Sequence, residues 1–199
     1  MAETRRSRTS SLDMEAVLLE AAADLLETEG PDGLSVRRIA AAAGVAPMGV
    51  YNHFASKFGI VEALFVQGFE RLGRAMVTLD EIEDPIEALR EGGRRYRVLA
   101  LAHPQMYQVM FLRAVPGFEP SDDALEVAAL AFGGLVTVIE RGMAAGSFID
   151  ASLTLTAQLV WSAIHGWVSL ELAEMGFVED HEAGFAQVCT TVLDGLVPR

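Results

Sequence analysis

Residues 34–57 read LSVRRIAAAAGVAPMGVYNHFASK and predict two short helices joined by a tight turn. Ser35 is a suitable N-cap, because its hydroxyl can accept a hydrogen bond from an early backbone N–H, and the alanines that follow favour helix. Gly44 predicts the end of this first helix, since glycine adopts a positive φ at little cost. Pro47 fits the first position of a second helix, which we expect to run to about His53.

The small and apolar residues of this stretch fit two helices that cross at a steep angle. Ala40 is small where the helices would touch, Gly44 permits the corner, and Val50 can face the first helix from the second. In a helix-turn-helix, the other side of the second helix enters the major groove of DNA. An ordinary helical hairpin is the alternative, but polar Tyr51 and Asn52 on a short helix argue against it. The stretch therefore predicts DNA binding.

This stretch resembles the DNA-binding domain of the TetR family of bacterial transcriptional regulators. The likeness covers about the first quarter to third of the chain, and the run VYNHFASK is its most specific part. Ala46 stands where members usually have a capping Ser or Thr, and Gly59 where they often have Glu. The residues that carry the resemblance are Ser35, Arg38, Ile39, Ala40, Ala43, Gly44, Val45, Val50, Tyr51, His53, Phe54, Ser56 and Lys57.

The resemblance and the chemistry of the side chains together give a set of candidate DNA contacts. In the family, residues at the positions of His53 and Lys57 touch phosphates, as does Ser35 or a neighbour. Asn52 is the best candidate for reading base edges, and Tyr51 suits a phosphate or a base edge unless it is a half-buried packing residue. The complete predicted set is Ser35, Arg37, Arg38, Pro47, Met48, Gly49, Tyr51, Asn52, His53 and Lys57.

The pattern of helix starts and stops predicts an all-α chain of about nine helices. Residues 1–11 are expected to be a flexible basic arm whose Arg5, Arg6 and Arg8 either touch DNA or form a solvated tail. Residues 12–58 are expected to be a three-helix helix-turn-helix domain, with a fourth helix continuing to about residue 78 as a connector. Residues 79–199 are expected to bind an effector and to form the dimer.

Composition bounds the class of protein. The 199 residues are 51% hydrophobic with a single cysteine, Cys189, and we see no membrane-length apolar run and no secretion signal, so a cytoplasmic protein without a membrane partner is expected. The net charge is −13, but most of the excess acid follows residue 75, and DNA contact needs only local positive charge.

Catalytic, cofactor and metal sites are not predicted. The four histidines lack ligand spacing, and neither a nucleophile elbow nor a phosphate loop is present. A helical enzyme with a degenerate N-terminal domain is the remote alternative to a regulator.

The C-terminal half is similar, at scattered positions, to a TetR subgroup marked by a Trp…His-Gly element, here Trp161, His165 and Gly166. This resemblance implies a domain that binds a small, largely apolar effector and whose last two helices pair with a second subunit. Large aromatic and methionine side chains suit such a pocket, although at helical spacing they are more often core. The predicted ligand contacts are Tyr96, Met106, Tyr107, Met110, Phe111, Phe132, Trp161 and His165.

A homodimer, most simply a repressor released by its effector, follows from the resemblance. A DNA-binding regulator without small-molecule control is the alternative. The predicted dimer contacts are Ser162, Gly166, Ser169, Val188 and Val192. A glycine inside a helix costs stability, so Gly166 predicts a close helix crossing, either within one subunit or between two.

Overall fold

The computed structural model describes residues 11–198, which form nine α-helices, two short 3-10 helices and no strand. This confirms the predicted all-α class. The arginines of the predicted arm, Arg5, Arg6 and Arg8, lie outside the described residues. The helices are α1 Ser11–Glu29, α2 Val36–Ala42, α3 Pro47–Tyr51, α4 Lys57–Met76, α5 Pro85–Ala102, α6 Pro104–Phe111, α7 Asp122–Ala144, α8 Leu153–Leu172 and α9 His181–Leu196. The 3-10 helices are Pro31–Gly33 and Val77–Glu81.

Among the described residues, the first compact unit combines residues 11–67 with residues 105–121. Its centre is built by the apolar faces of α1, α2, α3 and α4, where Leu18, Leu26, Ile39, Val50 and Leu64 are fully buried. The apolar residues of α1 recur every three or four positions, which places them on one face of the helix. This unit therefore holds the helix-turn-helix and also residues 105–111 of α6, which the predicted division had assigned to the C-terminal domain.

Glu27 joins α6 to α1 inside this first unit. Its carboxylate oxygens accept hydrogen bonds from the backbone N–H groups of Gln105 and Met106, at 3.2 and 3.0 Å. These donors belong to the first turn of α6, where backbone N–H groups have no partner within the helix. A carboxylate is favoured there by the helix dipole as well, so a side chain from α1 caps α6.

The second compact unit contains residues 68–104 and 122–198. A hydrophobic cluster that includes Leu89, Ile139, Phe148, Val160 and Leu193 joins α5, α7, α8 and α9. Phe148 fills the space above a glycine of α7, Gly142, where any larger side chain would collide with its ring. Small residues at such crossings let the helices pack closely.

Helix α7 has the length and apolar composition of a membrane span, contrary to the expectation from sequence that no segment would. Within the second unit, however, one face of this helix is part of the hydrophobic cluster, through Val138 and Ile139. Arg141 in its last turn donates hydrogen bonds to the carbonyl oxygens of Asp80 and Ile82, at 2.9 and 2.7 Å. Helix α7 is thus a packed element of the second unit.

Candidate nucleic-acid interface

The start of α2 has the predicted cap. The Ser35 hydroxyl accepts a hydrogen bond from the backbone N–H of Arg38 at 3.3 Å, with Ser35 itself in extended conformation. An N-cap of this kind satisfies one of the free N–H groups of the first turn. The cap fixes where α2 begins, and with it the direction of the side chains in its first turn.

The turn between α2 and α3 is built around Gly44, whose φ is 68°. The backbone N–H of Val45 donates to the carbonyl of Ala40 at 2.9 Å, and that of Gly44 to Ala41 at 3.2 Å. This pair of bonds is the Schellman arrangement, which favours glycine at the left-handed position. Helix α3 then begins at Pro47, and Ala46 before it provides no side-chain cap.

Helix α3 buries one side and exposes the other. Val50 is fully buried, whereas Met48 is 67% exposed and Tyr51 51% exposed, with Pro47 and Asn52 exposed beside them. Gly49 is half-buried, and its position could hold a Cβ in ordinary contact with the Val45 side chain. The helix ends at Tyr51, two residues before the predicted end at about His53. The predicted recognition residues thus form a surface of mixed apolar and hydrogen-bonding character.

The basic residues around this surface are not equally available. Arg37 is exposed, and its side chain forms no ion pair or hydrogen bond to any of residues 11–198. Arg38, in contrast, forms an ion pair with Glu29 at the end of α1. Lys57 donates to the carbonyl oxygen of Pro31 at 3.4 Å. His53 is mostly buried, with Nδ1 at 4.0 Å from a carboxylate oxygen of Glu15. Sequence reasoning missed both α1 acids, because their contacts join residues far apart in the chain.

The predicted ligand contacts fall into both compact units. Met106 and Tyr107 are buried in α6 of the first unit, where Met110 and Phe111 are half-buried and the Tyr107 and Phe111 rings lie 5.0 Å apart. The remaining four belong to the second unit: Tyr96, Phe132, Trp161 and His165.

Those four side chains of the second unit form a continuous row of rings, which we call the aromatic row. Phe132 and Trp161 have ring centroids 5.8 Å apart, and Trp161 and His165 are 5.2 Å apart. The Tyr96 hydroxyl and His165 Nδ1 form a hydrogen bond of 2.8 Å. Burial lowers the pKa of His165, because the charged imidazolium is poorly solvated there. The row is therefore an apolar surface with one neutral polar pair.

The predicted dimer contacts of α8 lie on its exposed side. Ser162 is exposed, Gly166 and Ser169 are half-buried, and a Cβ added at Gly166 would meet open space. A crossing within the subunit therefore does not explain this glycine. On α9, Val188 and Val192 are half-buried, and Val192 packs against the hydrophobic cluster of the second unit.

Three leucines extend this exposed side of α8 into a stripe. Leu155 and Leu159 are 58% and 61% exposed, and Leu170 beyond Gly166 is 51% exposed. Leu155, Leu159, Ser162, Gly166 and Leu170 recur every three or four residues, so they share one face of the helix. We call these five residues the α8 stripe. Sequence reasoning missed its leucines, because nothing in an apolar helix marks which of its apolar faces is left uncovered.

Two family models match the chain, each in a different region. Residues 18–64 match the model described as bacterial regulatory proteins, tetR family, and residues 89–192 match the tetracyclin repressor-like C-terminal domain. Among curated relatives, an uncharacterized HTH-type transcriptional regulator of Mycobacterium tuberculosis is 28% identical over 97% of this chain and 85% of its own length. An HTH-type transcriptional regulator of Mycobacterium bovis is 26% identical over 71% of this chain and 62% of its own length.

Solved structures share the fold over nearly the whole chain. A Rhodococcus protein of unknown function has a TM-score of 0.85 and 25% identity, with 98% of this chain and 100% of that chain covered. The transcriptional regulator PfmR of Thermus thermophilus has a TM-score of 0.68 and 24% identity, with 91% of this chain and 99% of that chain covered. At this level of identity, the second likeness concerns the fold alone.

Proposed function

Since the chain belongs to the TetR family of bacterial transcriptional regulators and binds DNA through its helix-turn-helix, we propose that it acts as a homodimeric repressor. A small, largely apolar effector would release it from a pseudo-palindromic operator in the cytoplasm. The observation that carries the DNA-binding face is the exposure of Met48 and Tyr51 on α3 and of Asn52 directly after it, opposite fully buried Val50. Apolar and hydrogen-bonding groups of this kind suit the edges of bases in the major groove.

The DNA-contact assignment is tested by binding of operator DNA at fixed salt. DNA from immediately upstream of the protein's own gene is the first probe. Tyr51→Ala should weaken binding, and Tyr51→Phe separates the hydroxyl from the ring. Neither change should move the thermal midpoint much, because Tyr51 is largely exposed. Unchanged affinity in both variants would remove Tyr51 from the recognition surface.

The predicted phosphate contacts need a different readout. Contacts with phosphate release counterions, so each one contributes about 0.9 to the slope of log K against log salt concentration. Arg37→Ala should therefore lower this slope, because Arg37 is exposed. A shallower slope in the variant supports a phosphate contact, and an equal slope contradicts it.

The α8 stripe supports a dimer with twofold symmetry. Small Ser162 and Gly166 lie in the middle of the stripe, and leucines lie at both of its ends. In a twofold interface each patch packs on its own copy, so two antiparallel stripes would bring the small residues together at the axis. The leucines at one end would then meet those at the other end of the partner's stripe.

Charge placed on the stripe should break this dimer. Leu159→Glu is expected to give a monomer in sedimentation velocity or light scattering. Leu130→Glu is the matched control, since Leu130 is 77% exposed but lies on α7, outside the stripe. A dimer that survives Leu159→Glu and dissociates with Leu130→Glu would place the interface elsewhere.

The aromatic row supports an effector that is mostly apolar and carries one uncharged polar group. Its rings offer stacking surface, and the Tyr96–His165 pair offers a neutral hydrogen-bonding end. The effector would bind more tightly to a conformation in which the two DNA-binding domains of the dimer are wrongly spaced for the operator. Effector binding would then shift the dimer to that conformation and release the DNA. Operator binding in the presence of a library of small hydrophobic compounds tests this control. Release by none of them would favour a regulator without a small-molecule effector.

A further inference from the structure

Arg38 has two competing partners available to it, one inside the chain and one on DNA. Its guanidinium Nη2 contacts a carboxylate oxygen of Glu29, and the two side chains are 48% and 35% exposed. The first helix of a helix-turn-helix crosses the phosphate backbone, and Arg38 lies in the first turn of that helix, α2. The same guanidinium is therefore within the region that approaches phosphate.

Glu29 is held in place to receive this guanidinium. It is the last residue of α1, and a Cβ added at Gly33 would lie 2.6 Å from the Glu29 Cβ, so the Pro31–Gly33 turn packs directly on it. The carbonyl groups at a helix C-terminus disfavour a carboxylate, and the last turn of α1 contains no basic residue. Arg38 supplies the cation that this position lacks.

We propose that Glu29 competes with DNA phosphate for the Arg38 guanidinium and thereby sets the DNA affinity of this regulator below its maximum. An arginine that turns to phosphate leaves Glu29 unpaired at an unfavourable position, and DNA binding must overcome that loss. This inference rests on the proposed function of the α2–α3 face. Arg37, beside it, has no such acid among residues 11–198.

The test removes the charge of Glu29 and compares it with the same change elsewhere on α1. Glu29→Gln keeps the size of the side chain. Glu20→Gln is the matched control, since Glu20 is an exposed acid of α1 that forms no ion pair with residues 11–198. We expect Glu29→Gln to bind operator about twofold to fivefold more tightly than Glu20→Gln, which corresponds to the strength of an exposed ion pair.

A second comparison shows whether the effect acts through Arg38. In the Arg38→Ala background, Glu29→Gln should raise the affinity for operator DNA no more than Glu20→Gln does in the same background. A gain that survives there would overturn the proposal, because it would report general charge repulsion. Equal or weaker binding of Glu29→Gln than of Glu20→Gln, at an unchanged thermal midpoint, would overturn it too. Failure of the wild-type chain to bind any operator would instead contradict the proposed DNA-binding face.

Discussion

The ion pair between Arg97 of α5 and Glu171 of α8 gives a quantitative test of how the second unit is held together. The Arg97 Nε and Nη2 atoms donate to the two carboxylate oxygens of Glu171, at 2.8 and 2.6 Å. Only 15% of the Arg97 side chain and 10% of the Glu171 side chain are exposed. The guanidinium also lies 5.5 Å from the ring centroid of Phe185 in α9, so the pair connects three helices.

Replacement of one partner should be costly because the other then stays buried without its counter-charge. Breaking a fully buried pair costs about 3–5 kcal/mol, and hydrogen bonds to charged groups contribute about 1.5–3 kcal/mol each. Because both side chains keep some contact with solvent, we expect Arg97→Met to lower the free energy of unfolding by about 3 kcal/mol. Glu171→Gln, which retains an acceptor, should lower it by about 2 kcal/mol.

Urea unfolding followed by circular dichroism measures these differences. The protomer concentration must be held constant, since association makes apparent stability depend on concentration. Arg90→Met is the matched control on the same helix: its 3.0 Å pair with Glu87 is exposed on both sides and should contribute no more than about 0.5 kcal/mol.

The pH dependence of the Glu171→Gln difference has a definite sign. The hydrogen bonds from Arg97 hold the pKa of Glu171 below its ordinary value of 4.5. A lowered carboxyl pKa in the folded state adds stability above the unfolded pKa, and this stability is lost as pH falls through the folded pKa. The difference in free energy of unfolding between the wild type and Glu171→Gln should therefore have its full size at neutral pH and shrink in acid. A difference that stays constant between neutral and acid pH, or that is no larger than that of Arg90→Met, would refute the reasoning.

Three further predictions concern packing, backbone conformation and a buried thiol. Gly184→Ala should destabilise the protein by about 1–3 kcal/mol, because the added Cβ would lie 2.7 Å from Trp167 Cζ2. Gly133→Ala is the control, since its added Cβ would meet open space on α7, and it should stabilise the protein by about 0.5–1 kcal/mol. Thermal unfolding of both variants measures these differences. Glu174→Gly should raise the thermal midpoint, since Glu174 has a φ of 54° after α8 and relief of that conformation is worth about 1 kcal/mol. Cys189 should react with an aromatic disulfide reagent slowly when folded and quickly in urea, because burial blocks access and raises the pKa of its thiol; equal rates would contradict this.

The helix-turn-helix could be predicted because its signals are local. The Ser35 cap, the positive φ of Gly44 and the buried side of Val50 each depend on residues within one or two turns of chain. Short-range hydrogen bonding and steric preference determine such features, so one sequence is enough to predict them.

Contacts between distant acids and their partners could not be predicted in this way. Glu29 meets Arg38 across a turn, and Glu27 meets the start of α6 across 78 positions in sequence. An acid on a helix gives no local signal that distinguishes a partner on another helix from solvent. The position of the four predicted pocket residues of α6 in the first unit could not be predicted either, because an apolar helix gives no local signal of the unit in which it packs.

The cap that Glu27 provides for α6 has a consequence for exchanging parts between relatives. Because residues 105–121 complete the unit that holds the helix-turn-helix, this DNA-binding unit is encoded by two separate segments of the gene. A chimera that joins one regulator's N-terminal segment to another's remainder within α4 would separate the Glu27 carboxylate from the amides it caps. Recombination that gives a new operator preference to an old effector domain should therefore succeed more often when both segments move together.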